Sequence, residues 1–224
     1  VMPGAQFVYL SAKNNFVYDG NSSGRRTLEE YFYGETPQLG NLTMVVQYGE
    51  VDLATGNDIP GDDRIIETMY VNNTSGSNWL VGLPRLTTVK NQSQQIMRQS
   101  WFYYDNQGNT TPPVKGFLTK KEDWAGTGNV NPVTLYSYDA IGNLATTTDP
   151  KGNITRVTYD TTYKMFPLTT ENALGHNVLN EYFGVNGVAL SSGGLNGLWG
   201  QLKSTMDPNQ QLGQRSYDVF GRLT

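Results

Sequence analysis

The side chain best suited to proton transfer near neutral pH is His176, the one histidine in the sequence. A hydrolytic triad would need a nucleophile beside it, and no G-x-S-x-G elbow is present to supply one. Its surroundings, Leu174-Gly175-His176-Asn177, read as a solvent-facing turn. Zinc takes several His, Cys or carboxylate ligands, and with zero cysteines one histidine cannot anchor a usual set. The acidic run Asp52–Asp63 (DLATGNDIPGDD) offers oxygen ligands of the kind calcium takes. Its spacing departs from the twelve-residue D-x-[DN]-x-[DN]-G loop with terminal Glu, so a solvated loop is the simpler reading. The aromatics Tyr136, Tyr138, Tyr159, Tyr182, Trp101, Tyr103, Tyr104 and Trp199 have flat rings that could stack on sugars and still hydrogen-bond. At strand spacing such rings more often pack across strands, at roughly 0.2–1 kcal/mol per pair. The reading assigns no catalytic, cofactor-binding or metal-binding residue.

The elements that hold these residues repeat. Tyr-Asp pairs stand at Tyr18-Asp19, Tyr104-Asp105, Tyr138-Asp139, Tyr159-Asp160 and Tyr217-Asp218, and internal repetition decides a fold before other signals do. In Leu135–Asp139 residues 135, 137 and 139 face one way and Tyr136 and Tyr138 the other, a period of two that predicts a strand. Asp139-Ala140-Ile141-Gly142-Asn143 then predicts a hairpin loop. Its Asp accepts backbone amides two residues on, and Gly142 takes positive φ without a Cβ clash. The return strand Leu144–Thr148 stops at a second turn, Asp149-Pro150-Lys151-Gly152-Asn153, because Pro cannot donate to a ladder and Gly permits the reversal. Ile154–Tyr159 restarts the cycle. Thr169–Asn177 occupies the place of the second turn, Glu181-Tyr182-Phe183-Gly184 that of a Tyr-Asp, and Gln201–Gln210 that of a return strand with its Asp207-Pro208 turn. Arg215–Leu223, with Tyr217, Asp218, Gly221 and Arg222, begins the motif again. Val185–Gly200 reads as a glycine-rich loop inserted between copies.

Tyr-Asp-x-x-Gly-Asn/Arg-Leu followed by Asp-Pro-x-Gly resembles the YD repeat of the Rhs and toxin-complex proteins (the B/C type), shared with teneurins. The fullest matches are 135–153 and 215–223, and 101–109 and 154–177 match in part. The resemblance implies a β-sheet strip wound into a hollow shell, which in bacterial toxin members encloses a cytotoxic C-terminal segment. Some members also cleave themselves with paired Asp residues near the end of the shell. Here Asp149-Pro150 and Asp207-Pro208 sit in ordinary repeat turns, so no catalytic residue is carried over. The expected fold is all-β: a repetitive antiparallel hairpin strip belonging to a curved or spiralling sheet shell.

A net charge of −4 with scattered Lys and Arg gives no basic face for nucleic acid. Lys120-Lys121 is followed at once by Glu122-Asp123. No apolar run is long enough for a membrane-spanning segment. The start Val1-Met2-Pro3-Gly4 lacks a basic, then apolar leader, and the chain reads as a piece of something longer. With 25 Gly, 14 Tyr and 16% charged residues, the composition is that of turn-rich β structure. Further strands are expected at Thr27–Tyr33, Leu42–Tyr48, Arg64–Val71, Trp79–Lys90 and Gln95–Tyr104, with alternating apolar positions at Phe7, Tyr9, Phe16 and Tyr18 and a turn at Asp19–Gly24. Pro84 predicts an edge or a bulge.

The expected division is residues 1–105 as a degenerate β-strip preceding or beginning the repeats, 106–128 as a long loop or linker, and 129–224 as the YD-repeat strip, truncated at its C-terminus. The sequence points to a non-catalytic structural segment of a large secreted or cell-surface shell. Its partners would be the rest of the same polypeptide, neighbouring shell segments and an enclosed toxin segment. A surface adhesion module that binds cell-surface glycans is the alternative, and an autoprotease or toxin fragment a third. Triplets such as Asn41-Leu42-Thr43, Asn109-Thr110-Thr111 and Asn153-Ile154-Thr155 accept glycans only in a glycosylating compartment.

Overall fold

The computed structural model describes residues 8–18, 20, 24–34, 39–190, 198–218 and 220–224. Phe7, Asp19 and parts of the Asp19–Gly24 turn and the Val185–Gly200 loop lie outside them. Every regular element among the described residues is a strand or an isolated bridge, apart from a single turn of 3-10 type at Leu198. No described helix is long and apolar enough to cross a membrane.

The chain divides into Val1–Pro132 and Val133–Thr224. The first unit holds β1 (Ala12–Val17), β2 (Arg25–Tyr33), β3 (Leu42–Val51), β4 (Arg64–Asn73), β5 (Leu80–Asn91), β6 (Ile96–Tyr104) and β7 (Leu118–Asp123). The second holds β8 (Val133–Tyr138), β9 (Leu144–Thr148), β10 (Ile154–Tyr159), β11 (Pro167–Glu171), β12 (Asn177–Tyr182), β13 (Leu202–Met206) and β14 (Leu212–Gln214). Within each unit every strand pairs antiparallel with its predecessor. Between β8 and β9, β9 and β10, and β11 and β12, sequential pairing follows from turns too short for any other connection.

Register in the second unit sets two faces. Ser137, Thr146, Arg156, Glu171 and Asn177 stand opposite one another in a polar row, and Ser137 and Thr146 hydroxyls meet at 2.7 Å. Val157, Thr170 and Val178 form a row of the other set. β8, β10 and β12 share one exposure pattern, in which Leu135 and Ser137, Arg156 and Thr158, and Leu179 and Glu181 are exposed while Tyr136, Tyr138, Val157, Tyr159, Val178 and Tyr182 are half-buried. The apolar side chains buried among the described residues are only Val51, Val71, Tyr104, Pro113, Val185 and Leu198. The strands therefore carry an amphipathic pattern that no second layer within the described residues fully covers.

Two expectations are refined. Pro84 lies at a bulge: β4–β5 pairing shifts at Met69/Tyr70, opposite it, while β5–β6 pairing runs only as far as Leu86↔Trp101. The stretch 106–128 contains a strand, β7. LTKKED has weak strand propensity, but β6 offers it a ladder. Lys120 pairs with Glu122 at 3.4 Å and Lys121 with Asp123 at 2.7 Å along alternate faces, and the Lys120 ammonium sits 3.6 Å from the centroid of the Tyr103 ring.

Candidate functional site

The second unit is organised by one turn. At Asp139 the backbone N–H donates to the Asn143 carbonyl (2.9 Å), and the Gly142 N–H returns to the Asp139 carbonyl (3.2 Å). Oδ1 accepts the amides of Ile141, Gly142 and Asn143 at 3.0, 2.8 and 2.9 Å. The Asn143 side-chain amide donates to Oδ2 at 3.0 Å. Gly142 has φ of 102°, which a side chain rarely adopts. Asp149 repeats the arrangement, with Oδ1 accepting Lys151 and Asn153 amides and Oδ2 the Asn153 side chain at 2.7 Å; Pro150 is the second residue of this turn and needs no N–H there. Asp218 does the same with Phe220 and Arg222, closed by Arg222 Nε at 2.7 Å, with Gly221 left-handed. Asn172 and Asp207 take the same two amides.

The Asn or Arg of the repeat thus clasps the Asp that begins it. Ionised carboxylates bind amide donors more strongly than neutral ones do. The Asn153 side chain and then its amide hold Asp149 below the usual carboxylate range. At Asp139 desolvation pushes upward, and the Asn143 amide and side chain outweigh it. At Asp218 the Arg222 amide leads.

The Tyr of each pair has a separate task. Tyr159 Oη donates to the Leu144 carbonyl at 3.1 Å, Tyr182 Oη to Pro167 at 3.3 Å, and Tyr217 Oη to Leu202 at 2.8 Å, each 15 residues back. The acceptor is always the first residue of β9, β11 or β13. Tyrosine at the end of the second strand, or just beyond it at Tyr217, therefore closes the open mouth of the hairpin. Tyr104 Oη reaches Pro84 (2.9 Å) and Tyr70 Oη reaches Leu42 (2.7 Å) in the first unit.

Two Asp residues grip larger turns. Asp160, 1% exposed, accepts the amides of Tyr163, Met165 and Phe166. Desolvation opposes its charge, yet the Phe166, Tyr163 and Met165 amides bring its pKa down to about 2. Asp105 accepts Val114, Lys115, Gly116 and Phe117 amides at 2.8–3.0 Å and so ties down the excursion between β6 and β7.

The RHS repeat family matches residues 127–172, the stretch that carries the Asp139, Asp149 and Asp160 turns. That stretch carries an RHS repeat. Two solved structures share its fold: a TcdB2-TccC3-TEV crystal structure, at 12% identity and TM-score 0.57 over 95% of this chain, and a TcdB2-TccC3 crystal structure, at 12% and 0.55 over 95%. The chain spans 14% of the length of each. No curated protein matches the sequence.

The site is an assembly of closed turns whose carboxylates are already occupied by backbone amides. The sequence-predicted Tyr104, Asp105, Tyr138, Asp139, Gly142, Asp149, Pro150, Gly152, Tyr159, Asp160, Tyr217, Asp218, Gly221 and Arg222 all stand at strand ends or turns of this kind. The sequence does not foretell the tyrosine-to-carbonyl bonds, because the acceptor of each is set by strand register. His176 is exposed, and its amide donates to Asn172 Oδ1 at 3.0 Å.

The acidic run separates into distinct tasks. Asp52 caps Thr55 through its amide and hydroxyl, both 2.6 Å. Asp62 accepts the Glu50 amide at 3.0 Å. Asp63 keeps Oδ1 buried without a partner, and desolvation, then Asp58 and Asp62, push its pKa up. Among the described residues no three His, Cys, Asp or Glu side chains are grouped to hold a metal. Of the aromatics, Trp199 contacts Tyr163 and Phe166 edge-on at 5.1 and 5.4 Å, and Phe166 meets Tyr182 at 5.2 Å. A Cβ on Gly184 (φ 75°) would lie 2.3 Å from the Trp199 ring, so glycine there lets the indole seat.

Proposed function

We propose that this Rhs-repeat chain is a non-catalytic length of wall in a much larger secreted or surface-delivered shell, which encloses or displays a C-terminal effector. A structural β-shell role accords with the repeat and with the fold shared with the TcdB2-TccC3 structures. The observation that carries the reading is the exposure pattern: strand after strand offers an amphipathic face with few fully buried side chains, so the sheet gains its stability from pairing and closed turns and presents broad surface on both sides. In this reading residues 129–224 are the repeat strip proper and residues 1–105 the degenerate strip leading into it, joined through 106–128. The rest of the same polypeptide, neighbouring shell segments and an enclosed toxin segment are its partners.

The test is intact mass in the native source, by denaturing electrophoresis with peptide mapping across Val1–Thr224. Peptides inside a far larger polypeptide support the wall reading, and a native chain of 24.8 kDa overturns it. β1 and β14 each pair on one side only among the described strands, and open edges recruit further strands. The isolated 224 residues are accordingly expected to associate, and a clean monomer by light scattering counts against the proposal.

A second reading, saccharide binding, draws on Tyr163 and Trp199, which keep 44% and 43% exposure beside one another. A flat glycan array removes it.

A further inference from the structure

The Asn143 side chain makes a second bond that its counterparts Asn153 and Arg222 are not seen to make. Besides clasping Asp139, its Nδ2 donates to the backbone carbonyl of Lys164 at 2.6 Å. Lys164 belongs to the next turn on the same edge, the one gripped by Asp160, and it holds φ at 58°. A lysine in the left-handed region is uncommon and costs free energy unless its surroundings fix it. Between the two turns lies a groove of about 370 Å³, lined among others by Asp139, Val157, Tyr159, Asp160 and Lys164. The same pair of turns is joined a second time by Tyr159 Oη on the Leu144 carbonyl, one residue beyond Asn143.

We propose that Asn143 is a latch between successive turns: it pins Lys164 in its left-handed conformation and so makes the Asp139 and Asp160 turns open and close as one unit. One amide serves both ends, since its Nδ2 carries two hydrogens and spends them on Asp139 and on Lys164. The amides of Met165 and Phe166, which follow Lys164 and donate to Asp160 Oδ1, are oriented by that conformation. Releasing the latch lets Lys164 relax, turns those amides away and widens the groove.

The experiment is native-state hydrogen exchange on the full 224-residue chain, read at Tyr163, Met165 and Phe166, with the β13 amides as a check on the fold. Asn143→Ala is expected to lower protection at these three positions about tenfold, the equivalent of one hydrogen bond. Asn153→Ala removes only a clasp within its own turn and is expected to leave them unchanged. Because Asn143→Ala also weakens its own turn, a second background separates the effects: Lys164→Gly removes the conformational penalty while keeping the carbonyl. In that background Asn143→Ala is expected to cost no more than about threefold, by the logic of a double-mutant cycle. An unchanged exchange rate in Asn143→Ala, an equal loss in Asn153→Ala, or the same tenfold loss with and without Lys164→Gly overturns the latch.

Discussion

The two units reach antiparallel pairing by different means. In the first, β4 and β5 match along nearly their whole lengths, from Arg64↔Asn91 to Asn73↔Leu80. In the second, β9 and β10 match only over Ile154↔Thr148, Thr155↔Thr147 and Arg156↔Thr146. Long ladders carry many backbone hydrogen bonds and tolerate irregular loops, such as the one that Asp105 gathers. Short ladders cannot hold their own ends, and there the turns that follow β8, β9, β10, β11 and β13 are each closed by an Asx side chain, and the mouths at Leu144, Pro167 and Leu202 by a tyrosine. The repeat motif is thus a remedy for short strands, and it fades where the strands are long.

The sharpest break of this contrast is Asp160→Ala against Asp105→Ala. Both remove a carboxylate that accepts several amides. Asp160→Ala is expected to cost about 3 kcal/mol, because it leaves buried donors unpaired in a unit with little else to hold it. Asp105→Ala is expected to release the 106–117 excursion to exchange while β6–β7 pairing persists. Urea midpoints with exchange mapping check both. Equal global losses would erase the distinction.

Acid sharpens it from another side. Asp160 is held down to about 2, so its contribution is full above the carboxylate range of an unfolded chain and is lost as pH falls through about 2. Asp63 is held up, chiefly by desolvation, so the first unit gains stability as pH falls from neutrality towards the carboxylate range. Unfolding followed by exchange between pH 7 and 2 should show the first unit gaining before the second declines. Asp63→Asn should remove the gain.

Tyrosine gives a smaller effect. Tyr159→Phe is expected to cost about 1 kcal/mol, one hydroxyl–carbonyl bond, with faster exchange at the start of β9. Tyr70→Phe removes the corresponding bond to Leu42 and should disturb exchange less, since β3 and β4 are longer. Gly152→Ala is of the same order: nothing lies within 4 Å of the added Cβ, so only the φ of 86° resists, at about 1 kcal/mol. Thermal midpoints measure it.

The all-β fold and much of this division were legible in the sequence. Leu144–Thr148 and Ile154–Tyr159 coincide with β9 and β10, and the left-handed Gly142 followed from the spacing of Asp and Gly, because both signals are local. β7 was not legible, since LTKKED becomes a strand only when β6 and the Tyr103 ring are already in place. Nor was the grip of Asp105, whose partners lie 9 to 12 residues ahead and are identified only by the path of the chain. The Tyr217 bond to Leu202 depends on register, which the pattern of side chains constrains without naming a particular carbonyl.

The neck at Phe183 has an engineering consequence. Tyr182 completes its bond to Pro167 before the chain leaves β12, and Phe183 and Gln201 rejoin through a 3.0 Å backbone bond as β13 begins. The stretch of chain between those two residues is far longer than the five-residue reversal at Asp139, and β12 still pairs with β13. That position is a natural socket for foreign sequence. An epitope or a small reporter domain spliced beyond Gly187 should be displayed at the sheet edge with the circular dichroism of the host unchanged.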